Sequence, residues 1–201
     1  PWRRQVIGVK RMDRNRSFAV AAGVAFIVAT VAHLIGVALT GPILQGQDYL
    51  TQISVNQERV ILGALLQSIG ALACPAIAIA LYPVLRKHGE GLALGSVGFR
   101  TIEGALHLLI AICILLLVSV SRAWVGAGAA TASAYEVAGS MVIATRAWLG
   151  PVSLLAFGLG AIMYYWVLYR SRLVPRWLSV WGLVAIPLLT VSALLVMFGV
   201  I

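Results

Sequence analysis

The sequence predicts an all-α fold, a polytopic transmembrane helical bundle, and three observations predict it. Hydrophobic residues make up 61% of the 201-residue chain and charged residues only 10%, against about 45–50% and 25% in soluble domains. The mean hydropathy is +0.99. The apolar residues gather in five runs, at about 17–39, 59–84, 91–120, 148–169 and 177–200, each matching the roughly 20 residues that cross a hydrocarbon core about 30 Å thick. No run alternates in polarity as a barrel strand must, whereas a helix satisfies its own backbone amides in lipid.

Taken in order, residues 1–16 form a basic juxtamembrane arm, and residues 17–201 a single transmembrane domain. The first run, "SFAVAAGVAFIVATVAHLIGVALT", has spanning length and no clear small-residue cleavage site, so it reads as a retained span rather than a signal peptide. The second begins after "SVNQERV", where Ser54 and Gln57 fit a capping box and Asn56 is a rival cap. Pro75 and Pro83 lie in its later part and are expected to bend it or help end it, since proline lacks an amide hydrogen and crowds the preceding turn. The third run, 91–120, carries the most polar residues. Residues 121–147 are expected as an outer loop with an interfacial helix; an extension of the fourth span and a re-entrant piece are the alternatives. The chain ends inside an apolar run, "ALLVMFGVI", leaving room for a sixth helix beyond Ile201.

Lys and Arg set the orientation. Arg3, Arg4, Lys10, Arg11, Arg14 and Arg16 of the arm share one side with the turns that hold Arg86, Lys87, Arg170, Arg172 and Arg176. Opposite them stand Arg59, Arg122 and Arg146, together with Asp48, Glu58 and Glu136. The positive-inside rule then makes the N terminus cytoplasmic and the expected location a bacterial cytoplasmic membrane. The net charge of +9 comes from these flanking residues, so the expected partners are the lipid bilayer and anionic headgroups at the basic arm, not nucleic acid. Cys74 and Cys113 fall at different depths on their helices and are not expected to form a disulfide. Two sets of small residues, Ala25, Ala29, Ala32 and Gly36 on the first helix and Gly91, Gly95 and Gly98 on the third, allow close helix approach.

The chemistry concentrates in "SVGFRTIEGALHLLI", residues 96–110. At 100° per residue Arg100, Glu103 and His107 fall within an arc of about 60°, with Ser96 beside them. Charges at mid-membrane normally face the bundle interior and pair, and Arg100 and Glu103 are three apart on one helix. With Gln67 at comparable depth, they form either a polar clasp between helices or the lining of a cavity that binds a polar headgroup or passes a proton. In the second case Arg100 is the anion anchor and Glu103 the titrating group.

His33 and His107 each lie sixteen residues from the cytoplasmic start of their helices, about 24 Å of rise. Matched depth is what bis-histidine ligation of a b-type haem requires. A zinc site from His33, His107 and Glu103 has no ligand motif around it. No nucleophile elbow, Cys–His signature, GxGxxG or P-loop is present, so no catalytic residue is assigned.

The pieces "NQERVILG", "ALYPVLRKHGEGLALGSVGFRTIEGAL" and "FGLGAIMYYWVLYRSRLVPRWLSVWGLV", in that order, resemble an uncharacterised family of bacterial multi-span membrane proteins, a domain of unknown function with "FR..E.A" and "YRS..(L)P" motifs. The resemblance implies a multi-span fold and marks Glu58, Arg59, Arg100, Glu103, Arg170, Ser171 and Pro175 as family-type positions. It implies no reaction, and it sets small or apolar residues where His33 and His107 stand. The expected function is a non-enzymatic module that binds a lipid or small amphiphile, or an accessory subunit docking on another membrane protein or on itself. The alternatives are a haem redox subunit and a lipid carrier or membrane-embedded enzyme.

Overall fold

Every regular element is a helix in the computed structural model, which describes residues 2–127 and 129–200, and side chains from Arg16 onward other than those of 128–130. They are α1 (Trp2–Leu44), α2 (Tyr49–Val55), α3 (Gln57–Leu85), α4 (Glu90–Val125), α5 (Ala129–Ser171) and α6 (Arg176–Met197). Five stretches are long and apolar enough to cross a membrane: Arg16–Leu44 within α1, all of α3 and α4, Thr131–Ser171 within α5, and α6. This is the build of a multi-pass membrane protein. The expected headgroup contacts of Arg3, Arg4, Lys10, Arg11 and Arg14, and any helix beyond Ile201, lie outside the described residues.

The largest departure from the sequence expectation is at 121–147. In place of a loop with a separate interfacial helix, α4 runs on to Val125, a short turn follows, and α5 continues without a break from Ala129 through the fourth apolar run. The alternative of an extended fourth span describes it. Composition hid this, because residues 131–147 are less apolar than a span, yet rich in small residues and free of proline. The prolines differ from expectation too: α3 passes Pro75 and Pro83 without ending. Tertiary contacts absorb the missing hydrogen bond at Pro75. Its absent N–H frees the Ala71 carbonyl one turn back, and that oxygen faces Gly104 of α4, where a Cβ would stand 2.8 Å from it. Asn56 occupies the N-cap position of α3 without a side-chain cap bond, and Ser54 instead donates to the Thr51 carbonyl at 2.7 Å, so no capping box forms.

Short connections make neighbouring helices antiparallel. The packing follows chain order: α1 on α3, α3 on α4, α4 on α5 and α5 on α6. Close approach of α1 and α3 depends on glycine. A Cβ on Gly36 would meet the Gly63 carbonyl at 2.7 Å, and one on Gly63 the Gly36 carbonyl at 3.0 Å. Ala29 and Ala32 serve the same seam: the Ala29 carbonyl faces Gly70 and Ala32 is buried. On α4 only Gly95 of the expected set meets a neighbour, the Met163 sulfur, while Gly91 and Gly98 face open space.

Two apolar cores close the bundle at its ends. One joins Ile43, Leu44, Ile53, Val60, Ala64, Ile114, Leu117 and Val118. There α2 lies across α4, and Ser121 donates to the Leu50 carbonyl at 2.6 Å. The other joins Leu85, Ala93, Val167 and Leu168. Between these cores lie Gln67 and Cys74 of α3, Ser96, Arg100, Glu103 and His107 of α4, and Arg146 and Ser153 of α5.

Candidate functional site

Between the two cores the helices part into a cleft. Its floor is α3 and α4, and its walls are α1 and α5, which share no packed interface. The cleft therefore opens sideways, toward the surface that five apolar spans turn to lipid. Phe26 and Leu34 of α1 form one lip and are 60% and 62% exposed.

Three connected chambers make up the cleft, and Phe157 of α5 borders all of them. The smallest, about 180 Å³, lies toward the Leu85 core and includes Ser96, Arg100 and Tyr164. The middle one, about 270 Å³, holds Cys74, Arg100, Glu103, His33 and His107. The largest, about 450 Å³, holds His33, Gln67, Glu103, His107, Arg146 and Ser153. Cavities of this size suit small ligands or parts of larger ones.

The i, i+3 spacing on α4 does what it predicts: Arg100 Nη1 donates to Glu103 Oε2 at 2.7 Å, and the two side chains are 16% and 7% exposed. The guanidinium also lies 5.2 Å from the centre of the Phe157 ring, a cation–π contact that fixes it against α5. The Cys74 thiol, 3.5 Å from the Gly70 carbonyl, reaches Glu103 from the α3 side. The pair thus stands at the junction of three helices.

The two histidines at matched depth do meet. Their ring centres are 5.7 Å apart with planes at 79°, so α1 and α4 touch across the cleft edge to face. His107 Nδ1 lies 3.0 Å from the Glu103 carbonyl. A carbonyl only accepts, so Nδ1 carries the hydrogen and Nε2 is the nitrogen left for other work. No group of three His, Cys, Asp or Glu stands close enough to hold a metal ion among the described residues.

Gln67 and Ser96 are placed differently from expectation. Gln67 is buried and lines the largest chamber, but its amide donates to Thr40 Oγ1 at 3.1 Å, and Thr40 in turn donates to the Gly36 carbonyl at 3.0 Å. It ties α3 to α1 and leaves Arg100 and Glu103 to each other. Ser96 donates to the Ala93 carbonyl at 2.8 Å within its own helix.

Comparison with known proteins is informative about family alone. The model of a domain of unknown function, DUF4386, matches residues 21–201. The chain belongs to the DUF4386 family. No curated protein and no solved structure matches it. The matched stretch contains every residue that lines the cleft, so the cleft lies wholly within the DUF4386 domain.

Sequence reasoning missed Arg146 and Phe157. The signal was present: Arg146, Gly150, Ser153, Leu154, Phe157, Ala161 and Tyr164 follow one another at helical spacing, and all of them line the cleft. Reading 121–147 as loop cut that stripe after its first member.

Proposed function

We propose that this DUF4386 protein is a multi-pass protein of the bacterial cytoplasmic membrane that holds a lipid or small amphiphile in its lateral cleft without turning it over. One observation carries the reading: a cleft with a charged floor opens between α1 and α5 onto an otherwise apolar, lipid-facing surface. A wholly apolar guest would leave the polar floor unsatisfied, and a wholly polar one would lie against Phe26, Leu34 and Phe157. An amphiphile matches both. The hydroxyls in the cleft support holding over chemistry, since Ser96 and Ser153 donate to backbone carbonyls of their own helices.

The test is native mass spectrometry of protein purified in mild neutral detergent, wild type beside Gly150→Phe. Gly150 borders the largest chamber, and nothing lies within 4 Å of where its Cβ would be, so the new ring fills the cleft without meeting backbone. A guest retained by wild type and lost from the variant supports the reading; equal retention, or none in either, overturns it. A second reading, a haem held by two histidines, rests on His33 and His107 facing each other across the cleft; it requires the touching rings to part and admit the macrocycle, and is read in the same sample as a Soret band. An accessory subunit would instead come off the column empty and bound to another polypeptide.

A further inference from the structure

We infer that the guest's head is anionic and that Arg146 of α5, not Arg100, is the residue that recognises it. This rests on the amphiphile reading above and adds the chemistry of the head.

The charges in the cleft do not balance. Among the residues lining the three chambers, Glu103 is the only carboxylate, while Arg100 and Arg146 both bring a positive charge. Arg100 already holds Glu103 at 2.7 Å and rests on the Phe157 ring. Arg146 has neither kind of partner: no carboxylate stands within ion-pair distance of it among the described residues, and its Nε is buried without a hydrogen-bonding partner. Its own helix supplies none, because its neighbours three and four residues away are Val142, Ile143, Leu149 and Gly150. If Glu103 took up a proton the surplus would grow from one charge to two, so the sign of the field in the cleft does not depend on that group.

Placement agrees with charge. Arg146 borders the largest chamber opposite His33, Gln67 and His107, none of which brings a negative charge, and the one carboxylate of that chamber, Glu103, is held by Arg100 at 2.7 Å. A guanidinium offers a planar fork of donors that fits phosphate or carboxylate oxygens two at a time, and in a site shielded from water such a contact is strong. Held there, the head leaves its tail to run past Phe157 and out between α1 and α5.

The experiment uses the full chain in dodecyl maltoside with dodecyl phosphate as probe, read as binding affinity and as bound mass. Wild type, Arg146→Gln, Arg146→Lys and Gly150→Phe are compared, each checked for a single size-exclusion peak. The expected result is at least tenfold weaker binding in Arg146→Gln, partial recovery in Arg146→Lys, and loss in Gly150→Phe. Inorganic phosphate as competitor separates the two sources of the anion: weak competition identifies an amphiphile's head. Strong competition keeps Arg146 as the anion site but overturns the amphiphile reading. If Arg146→Gln and Arg146→Lys both bind dodecyl phosphate as wild type does while Gly150→Phe does not, the cleft holds the amphiphile and the role of Arg146 is refuted. If all four bind alike, both ideas fall.

Discussion

Replacing Arg100 with alanine probes the clasp on which the cleft is built. The change leaves the Glu103 carboxylate, whose side chain is 7% exposed, with the Cys74 thiol as its remaining side-chain hydrogen-bond partner. Removing one partner of a buried ion pair costs about 3–5 kcal/mol, because an uncompensated charge stays behind. Arg100 is 16% exposed and the orphaned carboxyl can take up a proton, so about 2–3 kcal/mol is expected here. Glu103→Ala costs less, since the guanidinium keeps the Phe157 ring, a contact of about 0.5–2 kcal/mol. The double variant removes both charges, and a coupling of about 1–3 kcal/mol is expected from the cycle. For a chain of this length 1 kcal/mol moves the melting temperature by about 2–4 °C. Arg100→Ala should therefore lower the apparent Tm in detergent by roughly 5–10 °C, and adding Glu103→Ala should restore several degrees. Tryptophan fluorescence during a thermal ramp reads both. Strictly additive losses, with the double variant melting below wild type by the sum of the two single losses, would refute the coupling.

Gly63→Leu should destabilise by about 1–3 kcal/mol through overpacking against the Gly36 carbonyl and Leu39, whereas Gly98→Ala, with open space at its Cβ, should be neutral or stabilising by up to about 1 kcal/mol; matching melts for the two would sink the α1–α3 seam. Ser121→Ala removes the 2.6 Å bond to the Leu50 carbonyl and should cost about 1–2 kcal/mol, seen as faster amide exchange over residues 49–55 with α3 and α4 unchanged. Burial, and then the nearby Glu136 carboxylate, raise the Tyr49 phenol above its ordinary range. The folded chain then keeps that proton longer than the unfolded one, so the stabilisation is complete below about pH 10 and is lost as pH rises above it. Tyr49→Phe should flatten the decline in Tm above about pH 10, and an unchanged slope would count against this account.

The spans were legible because crossing a membrane is a demand on composition and length, which a single sequence displays directly. The Arg100–Glu103 pair was legible for a related reason: both partners sit one turn apart on one helix, so no knowledge of neighbouring helices is needed. The meeting of His33 with His107 could be anticipated only as equal depth. What the sequence withheld is rotation about each helix axis. Depth alone places Gln67 with the α4 clasp, but α3 turns it toward Thr40 of α1. Gly91 and Gly98 lie at helical spacing with Gly95, yet face open space because α4 presents its other faces to α3 and α5. At Arg146 the obstacle is different: moderate polarity reads as loop, although the face it begins continues through Ser153 and Phe157 to Tyr164.

The two arginines of the cleft show how local sequence separates structure from recognition. Arg100 carries its counter-ion on its own helix, three residues away, so its charge is answered as soon as α4 forms, before any neighbour or guest arrives. Arg146 is surrounded at the equivalent positions by Val142, Ile143, Leu149 and Gly150, and packing of the bundle brings it the uncharged side of α1 and α3. A guanidinium costs about 2.5–3.5 kcal/mol at the centre of a spanning helix on insertion scales and less toward its ends, and no bond to another described side chain offsets that cost at the Arg146 Nε. The topology explains why the compensation can come from outside. The spanning helices pack mainly in chain order, so α1 and α5 share no packed interface, and this leaves an open side at the level where Arg146 sits. The same arrangement that leaves Arg146 without an ion-pair partner among the described residues would give an anionic head a lateral route to it.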